Sequence, residues 1–425
     1  MAEKTLDVLL ADHPVGVLEQ RPGGRHAFEY LKSWQERARA IPLSYSMPLQ
    51  QNRHGTRVVT DFMWGLLPDN ENTLRQWGRR YQVSPYNPFA LLAAIGEDCP
   101  GAVQIVPPGR ALERRQRVRW LAAGELEERI CRLKQDSGAG RLESDTGQFS
   151  LAGSQEKTAF YRVNNRWGVP QGRTPTTHIL KPETGRVPHI AANEHFCLQL
   201  ARQCRLPAAI SEVQVIGDIP TIIVERFDRV RTGGLVRRIH QEDMCQALAT
   251  REKYQQHGGP GIYDIMAVLQ FSDRPDIDRE RFMRAQVFNY LIAGTDAHAR
   301  NYSISYAPGG AFRLSPLYDV ISDLPYHRPS RRSALAMTIG GKRIIAHIMP
   351  RHWTRQAASV RFSRDVLFAH IRDLIAILPE AAERVSEECR AQGFESPVVD
   401  TLVRAIVRRC KDVARIYGLE AATSR

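Results

Sequence analysis

The sequence predicts an α+β chain in two lobes, β-rich in its first half and mainly helical in its second. Two observations predict this. Up to about residue 230 the apolar residues alternate or fall in short runs, as at 6–20, 99–109, 176–182 and 221–229, with Gly, Pro, Asn and Asp between them. From about 240 the apolar spacing changes to three and four, most clearly at Phe282, Ala285, Phe288, Leu291 and Ile292.

The bulk numbers bound the class. A chain of 425 residues has room for two or three domains, and 43% hydrophobic with 25% charged residues is ordinary globular composition. No apolar run approaches the roughly 20 residues of a membrane helix. The start, M-A-E-K-T-L-D-V-L-L, carries Glu3 and Asp7 around a short apolar patch, a poor secretory signal and a better first strand. Seven cysteines (99, 131, 197, 204, 245, 389, 410) form no C-x-x-C pair, so they read as reduced thiols of a cytoplasmic protein. The net charge of +13 favours polyanionic partners. Basic runs stand at 110–119, 229–238, 328–332 and 404–411, and each fits a solvated face equally well.

Taken in order, 6–20 reads as two strands around a turn at 12–14, and L-S-Y-S-M-P-L (43–49) as another strand. F-M-W-G-L-L-P-D-N (62–70) is a buried apolar turn. A short helix at 87–96 stops at Gly96, and a strand at 99–109 ends in Pro-Pro-Gly. That breaker suggests a domain boundary near 108. A charged helix follows at 124–134, then a polar stretch at 136–147. Strands are expected at 176–182 and 221–229, with a helix at 193–204 between them. H-Q-E-D-M-C-Q-A-L (240–248) begins a helix, and the helix at 280–294 ends with Gly294 as its C-cap. A hairpin forms around Pro308-Gly309-Gly310, a strand with a turn at 335–342, and amphipathic helices at 365–378 and 398–417 close the chain. These blocks imply a β-rich first subdomain (1–108), a second, mixed block (109–227) and a helical lobe (228–425).

The chemistry concentrates in G-T-D-A-H-A-R-N-Y-S (294–303). Asp296 precedes Asn301 by five positions, and a second acid, Asp319, follows in S-P-L-Y-D-V. That spacing is how protein kinases arrange phosphoryl transfer: the first Asp accepts the hydroxyl proton, and the Asn and second Asp hold magnesium. An ordinary polar loop after a helix has the same spacing, so other segments must support the reading. Lys181 ends a strand beside a Pro, where a kinase lysine holds the α- and β-phosphates of ATP, and Glu194 is positioned to pair with it. Glu225, Arg226 and Phe227 fall where a hinge would meet adenine. Gly153 lies in a small turn between strand-like flanks, a shape that brings N–H groups to phosphate. His298 lies between the polar groups, either bonded to the loop backbone or facing a ligand.

Together these segments resemble the HipA family of serine/threonine kinases, the toxins of HipA–HipB-type toxin–antitoxin pairs. The resemblance runs from about 5 to 420. It is carried by S-L-A-G-S-Q-E-K-T-A (150–159), T-H-I-L-K-P (177–182), N-E-H-F-C-L-Q-L-A (193–201), V-E-R-F-D-R (224–229), G-T-D-A-H-A-R-N-Y-S and L-S-P-L-Y-D-V-I-S (314–322). It implies a two-lobed, protein-kinase-like fold and an ATP- and Mg2+-dependent enzyme. Asp296 would be the catalytic base, and Asn301 and Asp319 the metal ligands. Ala152, Gly153, Ser154, Gln155, Glu156 and Lys157 would form the phosphate loop, Lys181 would touch phosphates, and Glu225 to Phe227 would form the hinge. His298 and Tyr318 would border the nucleotide. Ser150 stands where such kinases phosphorylate themselves, ejecting the loop; the added charge of about −1.5 to −2 beside a phosphate loop would repel ATP. The implied partners are a HipB-like helix-turn-helix antitoxin, operator DNA through that complex, and a protein substrate such as an aminoacyl-tRNA synthetase. Two positions depart from the family pattern: Ala297 replaces a glycine and Ser154 an alanine.

Two other functions compete. A catalytically weak scaffold that binds antitoxin and operator DNA fits the +13 charge. A metallophosphoesterase would use Asp296 and His298 as a D-x-H pair, but no G-D-x-x-D or G-N-H-D/E stretch accompanies it.

Overall fold

Ala11 and Asp12 both adopt left-handed φ, 47° and 71°, between the strands Lys4–Leu10 and His13–Arg21. Two such residues make a two-residue hairpin whose twist matches its strands, and Leu10 accordingly pairs with His13. This hairpin centres a five-stranded sheet ordered Arg53–His54, Arg25–Tyr30, His13–Arg21, Lys4–Leu10 and Val103–Val106. Its apolar face packs with the helices Thr56–Gly65, Glu71–Arg80 and Pro88–Ile95 into one core containing Phe28, Met47, Phe62, Met63 and Leu91. The structure is a computed structural model and describes residues 4–110, 116–136, 138–140, 145, 149–172, 174–327 and 333–419. The basic run 328–332, the middle of the run 110–119 and most of the polar stretch 136–147 lie outside the described residues.

A second, six-stranded sheet runs in the order Ser211–Ile216, Ile219–Glu225, His178–Pro182, Thr158–Val163, Arg166–Gln171 and Arg117–Trp120. The helix Glu125–Gln135 packs Ile130 against Phe160, Val169, Leu180 and Ile223 of this sheet.

The chain divides into two compact units. The first holds residues 1–186, 214–251 and 303–312, and the second 187–213, 252–302 and 313–425. A break near 108 therefore separates no compact units, and 228–251 and 303–312 group with the sheets rather than with the helices. The reason is visible in the first unit. Asp98 is buried against Arg226, Arg229 and Arg238, and Asp228 bonds Arg226 and receives the Gly101 N–H. This ionic knot crosses the boundary that Pro-Pro-Gly suggested. Burial alone would raise the Asp98 carboxyl, but the three guanidiniums beside it hold it well below the usual carboxylate range.

Local expectations fail in three places. Residues 43–49 form only an isolated bridge between Ser44 and Met47, because Ser44 Oγ and the Tyr45 N–H turn to the buried Glu242 carboxylate. Segment 240–248 opens as a strand, Gln241–Asp243 paired with Ser303–Ser305, and only Met244–Ala247 is helical. The first part of 62–70 belongs to the helix Thr56–Gly65.

The second unit is built around the helix Pro275–Leu291, which buries Phe282, Met283, Ala285, Val287, Phe288 and Leu291. Apolar side chains on nearly every face make it a central rather than a surface helix. The helices Ile190–Gln203, Arg364–Ala391 and Pro397–Ile416 also belong to this unit. Arg364–Ala391 continues past the expected end at Leu378 and through Pro379. Proline removes one helix hydrogen bond, and the buried Ala381, Ala382, Val385 and Cys389 beyond it keep the stripe packed. All seven cysteines are free, as expected.

Glu242 generates a pH prediction. Burial pushes its carboxyl up to about 7, against the Ser44 and Tyr306 hydroxyls and the Tyr45 N–H, which favour the charged form. Between its ordinary value near 4.5 and about 7 the folded state holds the extra proton, so this group's stabilisation fades as pH rises through that window. Urea unfolding of Glu242→Gln should remove this decline and leave a flatter stability profile than wild type from pH 5 to 7. Parallel profiles would contradict it.

Candidate active site

The residues singled out in the sequence fall in two sets, one in each unit. In the second unit, the catalytic loop starts where the central helix ends. Ala293 takes the left-handed position (φ 51°), and the Gly294 N–H returns to the Asn289 carbonyl at 2.7 Å. This is a Schellman ending, so the residue at the helix stop is Ala293, not Gly294. Gly294 is needed for space instead: a Cβ there would meet Asn289 Oδ1 at 2.5 Å. Asn289 and Gln286, on the same helix, each donate to the Tyr302 hydroxyl at 2.9 Å. The loop is thus pinned to the buried helix at both ends.

Within the loop, Asn301 Nδ2 donates to the Asp296 carbonyl at 3.0 Å and to the Asp319 carbonyl at 3.5 Å. Both bonds use the amide nitrogen, which leaves Oδ1 as the side-chain atom for a cation. Asp296, Asn301, Tyr318 and Asp319 line one pocket. Asp296 is exposed, Asn301 buried and Asp319 half-buried. Tyr318 donates its hydroxyl to the Arg300 carbonyl at 2.8 Å, tying the end of the hairpin segment to the loop. Asp319 has φ +56°, a left-handed conformation that strains a residue with a Cβ and recurs at functional sites. Ala297 does not share it, so the loop does not require the glycine's conformational freedom there. His298 is buried; its N–H reaches the Asp296 carbonyl at 2.8 Å, and its Nδ1 has no partner among the described residues. Burial lowers its imidazole pKa, which favours the neutral ring.

Sequence reasoning missed two supports. Asn193, on the helix Ile190–Gln203, accepts the Ser322 N–H at 2.9 Å and donates to the Ser322 carbonyl at 2.8 Å. Ser322 Oγ donates to the Ile292 carbonyl at 2.6 Å, and the Asp323 N–H bonds the Ala293 carbonyl. The segment after Asp319 is therefore locked to two helices. Asn193 and Ser322 lie inside motifs quoted above, but no spacing rule marks them. The other missed residue, Tyr254, donates its hydroxyl to Asp296 Oδ1 at 2.5 Å and lies in a stretch with no motif at all.

In the first unit, Lys181 is buried on the strand His178–Pro182, opposite Ile222. The loop 152–157 is closed by Lys157 Nζ, which donates to the Ala152 carbonyl at 3.1 Å. Gly153 has φ +105°, and a Cβ there would meet Lys157 Nζ at 2.8 Å, so the turn demands glycine. The Asp69 N–H and Asn70 Nδ2 donate to the Gly153 and Ser154 carbonyls. Glu156 is buried and pairs with Arg186, while Ser154 is exposed. Ser150 is fully buried, with its Oγ on the Leu66 carbonyl and its N–H on the Asp98 carbonyl. No kinase can reach that hydroxyl until the loop leaves its seat. In the expected hinge, Arg226 is fully committed: its guanidinium lies in the ionic knot and its N–H bonds the Thr177 carbonyl.

The donors of the second unit are all oxygen, which suits a hard cation such as Mg2+ that keeps its other positions for water and phosphate. An exposed carboxylate fixed beside such a pair can accept a proton from a hydroxyl.

Comparisons with known proteins identify the family. Residues 149–390 match the family described as HipA-like C-terminal domain, and residues 6–106 match HipA N-terminal domain. The serine/threonine-protein kinase toxin HipA of Shewanella oneidensis is 30% identical, with 78% of each chain covered. Y4mE of Sinorhizobium fredii, which carries a provisional kinase name, is 31% identical over 97% of this chain and 99% of its own. The solved complex of HipA, HipB and operator DNA from Shewanella oneidensis superposes with a TM-score of 0.83 at 25% identity. That match covers 98% of this chain and 100% of the other. Among the described residues no helix is long and apolar enough to cross a membrane.

Asn193→Ala would leave two backbone groups of Ser322 unpaired. At about 1–2 kcal/mol each, urea unfolding should show a loss of roughly 2–4 kcal/mol. A change within ~0.5 kcal/mol would mean that water replaces the side chain without penalty.

Proposed function

The chain belongs to the HipA family, and from that premise we propose that it is an ATP- and Mg2+-dependent serine/threonine protein kinase acting as the toxin of a toxin–antitoxin pair. The observation that carries the proposal is the shared pocket of Asp296, Asn301 and Asp319, with the Asn301 amide nitrogen spent on two backbone carbonyls. Asp296 accepts the proton of the attacking hydroxyl. Asn301 Oδ1 and the Asp319 carboxylate would hold Mg2+, which when bound would supply charge neutralisation for the phosphates. In the first unit, the family resemblance implies nucleotide contacts for Lys181, for the loop from Ala152 to Lys157 and for the hinge from Glu225 to Phe227. His298 and Tyr318 keep the loop in shape beside the nucleotide.

The substrate is a translation component, with an aminoacyl-tRNA synthetase as the family's implied target. Ser150 is the inhibitory self-phosphorylation site. Its burial supports a two-position loop, because modification requires the seat at Leu66 and Asp98 to be vacated. The proposed partners are a HipB-like helix-turn-helix antitoxin and, through it, operator DNA, in the cytoplasm. The superposition on a HipA, HipB and operator DNA complex supports these partners. The net charge of +13 supports a second reading, in which antitoxin and DNA binding outweigh catalysis.

The test is γ-labelled ATP with Mg2+ in a cell extract. Wild type should label itself at Ser150 and one or a few extract proteins. Asp296→Asn should lower turnover about 10^2–10^4-fold, while retaining antitoxin and operator binding. Identical labelling by wild type and Asp296→Asn would remove the kinase reading and leave the binding one.

A further inference from the structure

Asp296 stands near the start of the loop 294–303, and hydrogen bonds hold the loop backbone around it. Its carboxylate is exposed, and an exposed carboxylate rotates freely about its last torsion, which has broad, roughly two-fold wells. A base that rotates spends part of its time with neither lone pair aimed at the acceptor, and small errors of aim carry large penalties in rate. Something must hold it, and the bonds from the Asn301 side-chain amide and the His298 N–H reach only its carbonyl.

The segment 252–259 supplies a side-chain contact. The Ala299 N–H bonds the Lys253 carbonyl, so this segment lies along the catalytic loop. The His257 and Gly259 N–H groups both turn back to the Tyr254 carbonyl at 3.0 Å, and Gln255 Oε1 accepts the Thr338 N–H at 2.7 Å. Between those anchors Tyr254 is half-buried. Its ring meets His298 edge-on, with centroids 5.0 Å apart and planes at 88°, and Lys253 Nζ stands 5.4 Å from the ring centroid. With the ring held on two sides, the hydroxyl donates to Asp296 Oδ1 at 2.5 Å.

We propose that Tyr254 is a positioning residue that fixes the Asp296 carboxylate through Oδ1 and so presents Oδ2 to the acceptor hydroxyl. The phenol donates to the carboxylate and gives up no proton. The acceptor's proton goes to Oδ2 as its oxygen bonds the γ-phosphorus of ATP, and the bond from that phosphorus to the β–γ bridging oxygen breaks, releasing ADP. Tyr254 touches neither the acceptor nor the phosphate and acts only through Asp296. The His298 ring completes the device by supporting the tyrosine ring edge-on. The proposal rests on the reading of Asp296 as the base.

Tyr254→Phe keeps the ring contacts and removes only the donor. It should lower kcat about 10–100-fold with the KM for ATP and the melting temperature unchanged. If Tyr254 acts through Asp296, the double variant with Asp296→Asn should be no slower than Asp296→Asn alone, whereas an independent structural role would multiply the losses. Unchanged or raised kcat in Tyr254→Phe, with Asp296→Asn inactive, overturns this proposal and leaves the kinase reading standing. Raised kcat would mean that the phenol competes with the acceptor. Full turnover by Asp296→Asn overturns both.

Discussion

One carboxamide organises the candidate site. Asn301 has a donor end and an acceptor end, and the protein spends the donor end on the carbonyls of Asp296 and Asp319. The consequence is geometric. Two segments eighteen residues apart are brought to one pocket, and the amide oxygen is left for a cation. Neither neutral bond is strong, since each net hydrogen bond contributes about 1 kcal/mol. They hold because the surrounding backbone is already immobile. The helix end at Ala293, the Tyr302 hydroxyl between Gln286 and Asn289, and the clasp of Asn193 on Ser322 each remove freedom before Asn301 acts. The left-handed Asp319, which costs roughly 1–2 kcal/mol in an L-residue, is tolerated for the same reason.

The first unit carries its polar chemistry differently. The knot of Asp98, Asp228, Arg226, Arg229 and Arg238 is buried, where removing charges from water costs several kcal/mol per ion. Close pairing and the carbonyls of Cys99, Gly101 and Thr176 offset that penalty by satisfying the guanidinium donors. The knot adds little net stability beyond what an apolar core would give, but it is specific about which segments meet. Ser150 bonds the carbonyl of Asp98 itself. The seat of the loop 152–157 therefore has a firm floor, while among the described residues its own apolar anchor is the small cluster of Phe149 and Leu151 against Ala159 and Ile179. A small cluster on a large fixed base is the kind of element that opens locally without unfolding the rest.

Much of this was legible in advance, for identifiable reasons. Alternation found the strands at 6–20, 176–182 and 221–229, and the three–four period found the helices, because in those segments one face is buried and the pattern records it. The D-x-x-x-x-N spacing and Asp319 were legible because their separation encodes a hairpin. Failures came where a long-range polar contact overrode local pattern. Glu242 took the hydrogen bonds that would have made 43–49 a strand. Gly294 misled for a subtler reason: glycine signals either an unusual φ or a lack of room, and sequence alone cannot distinguish the two. Arg226 was read as a hinge residue from its neighbours, whereas its guanidinium serves the core.

The unequal burial of the triad bears on the kind of acceptor the site suits. Asn301 is buried and Asp319 half-buried, but Asp296 is exposed. A base for a small substrate is best enclosed, since closure excludes water and strengthens every interaction inside. A base that must meet a hydroxyl on a folded protein cannot be enclosed by its own chain, because the acceptor's backbone has to approach it. Exposure then trades electrostatic strength for access, and the loss is recovered by fixing the carboxylate's direction rather than its dielectric. The rigid helix beneath Gly294 and the hydrogen bond from Tyr254 both serve direction. In the proposed reading, deep oxygens that would hold the metal beneath a shallow, oriented base are the distribution expected when the phosphates are bound by this chain and the acceptor arrives on another.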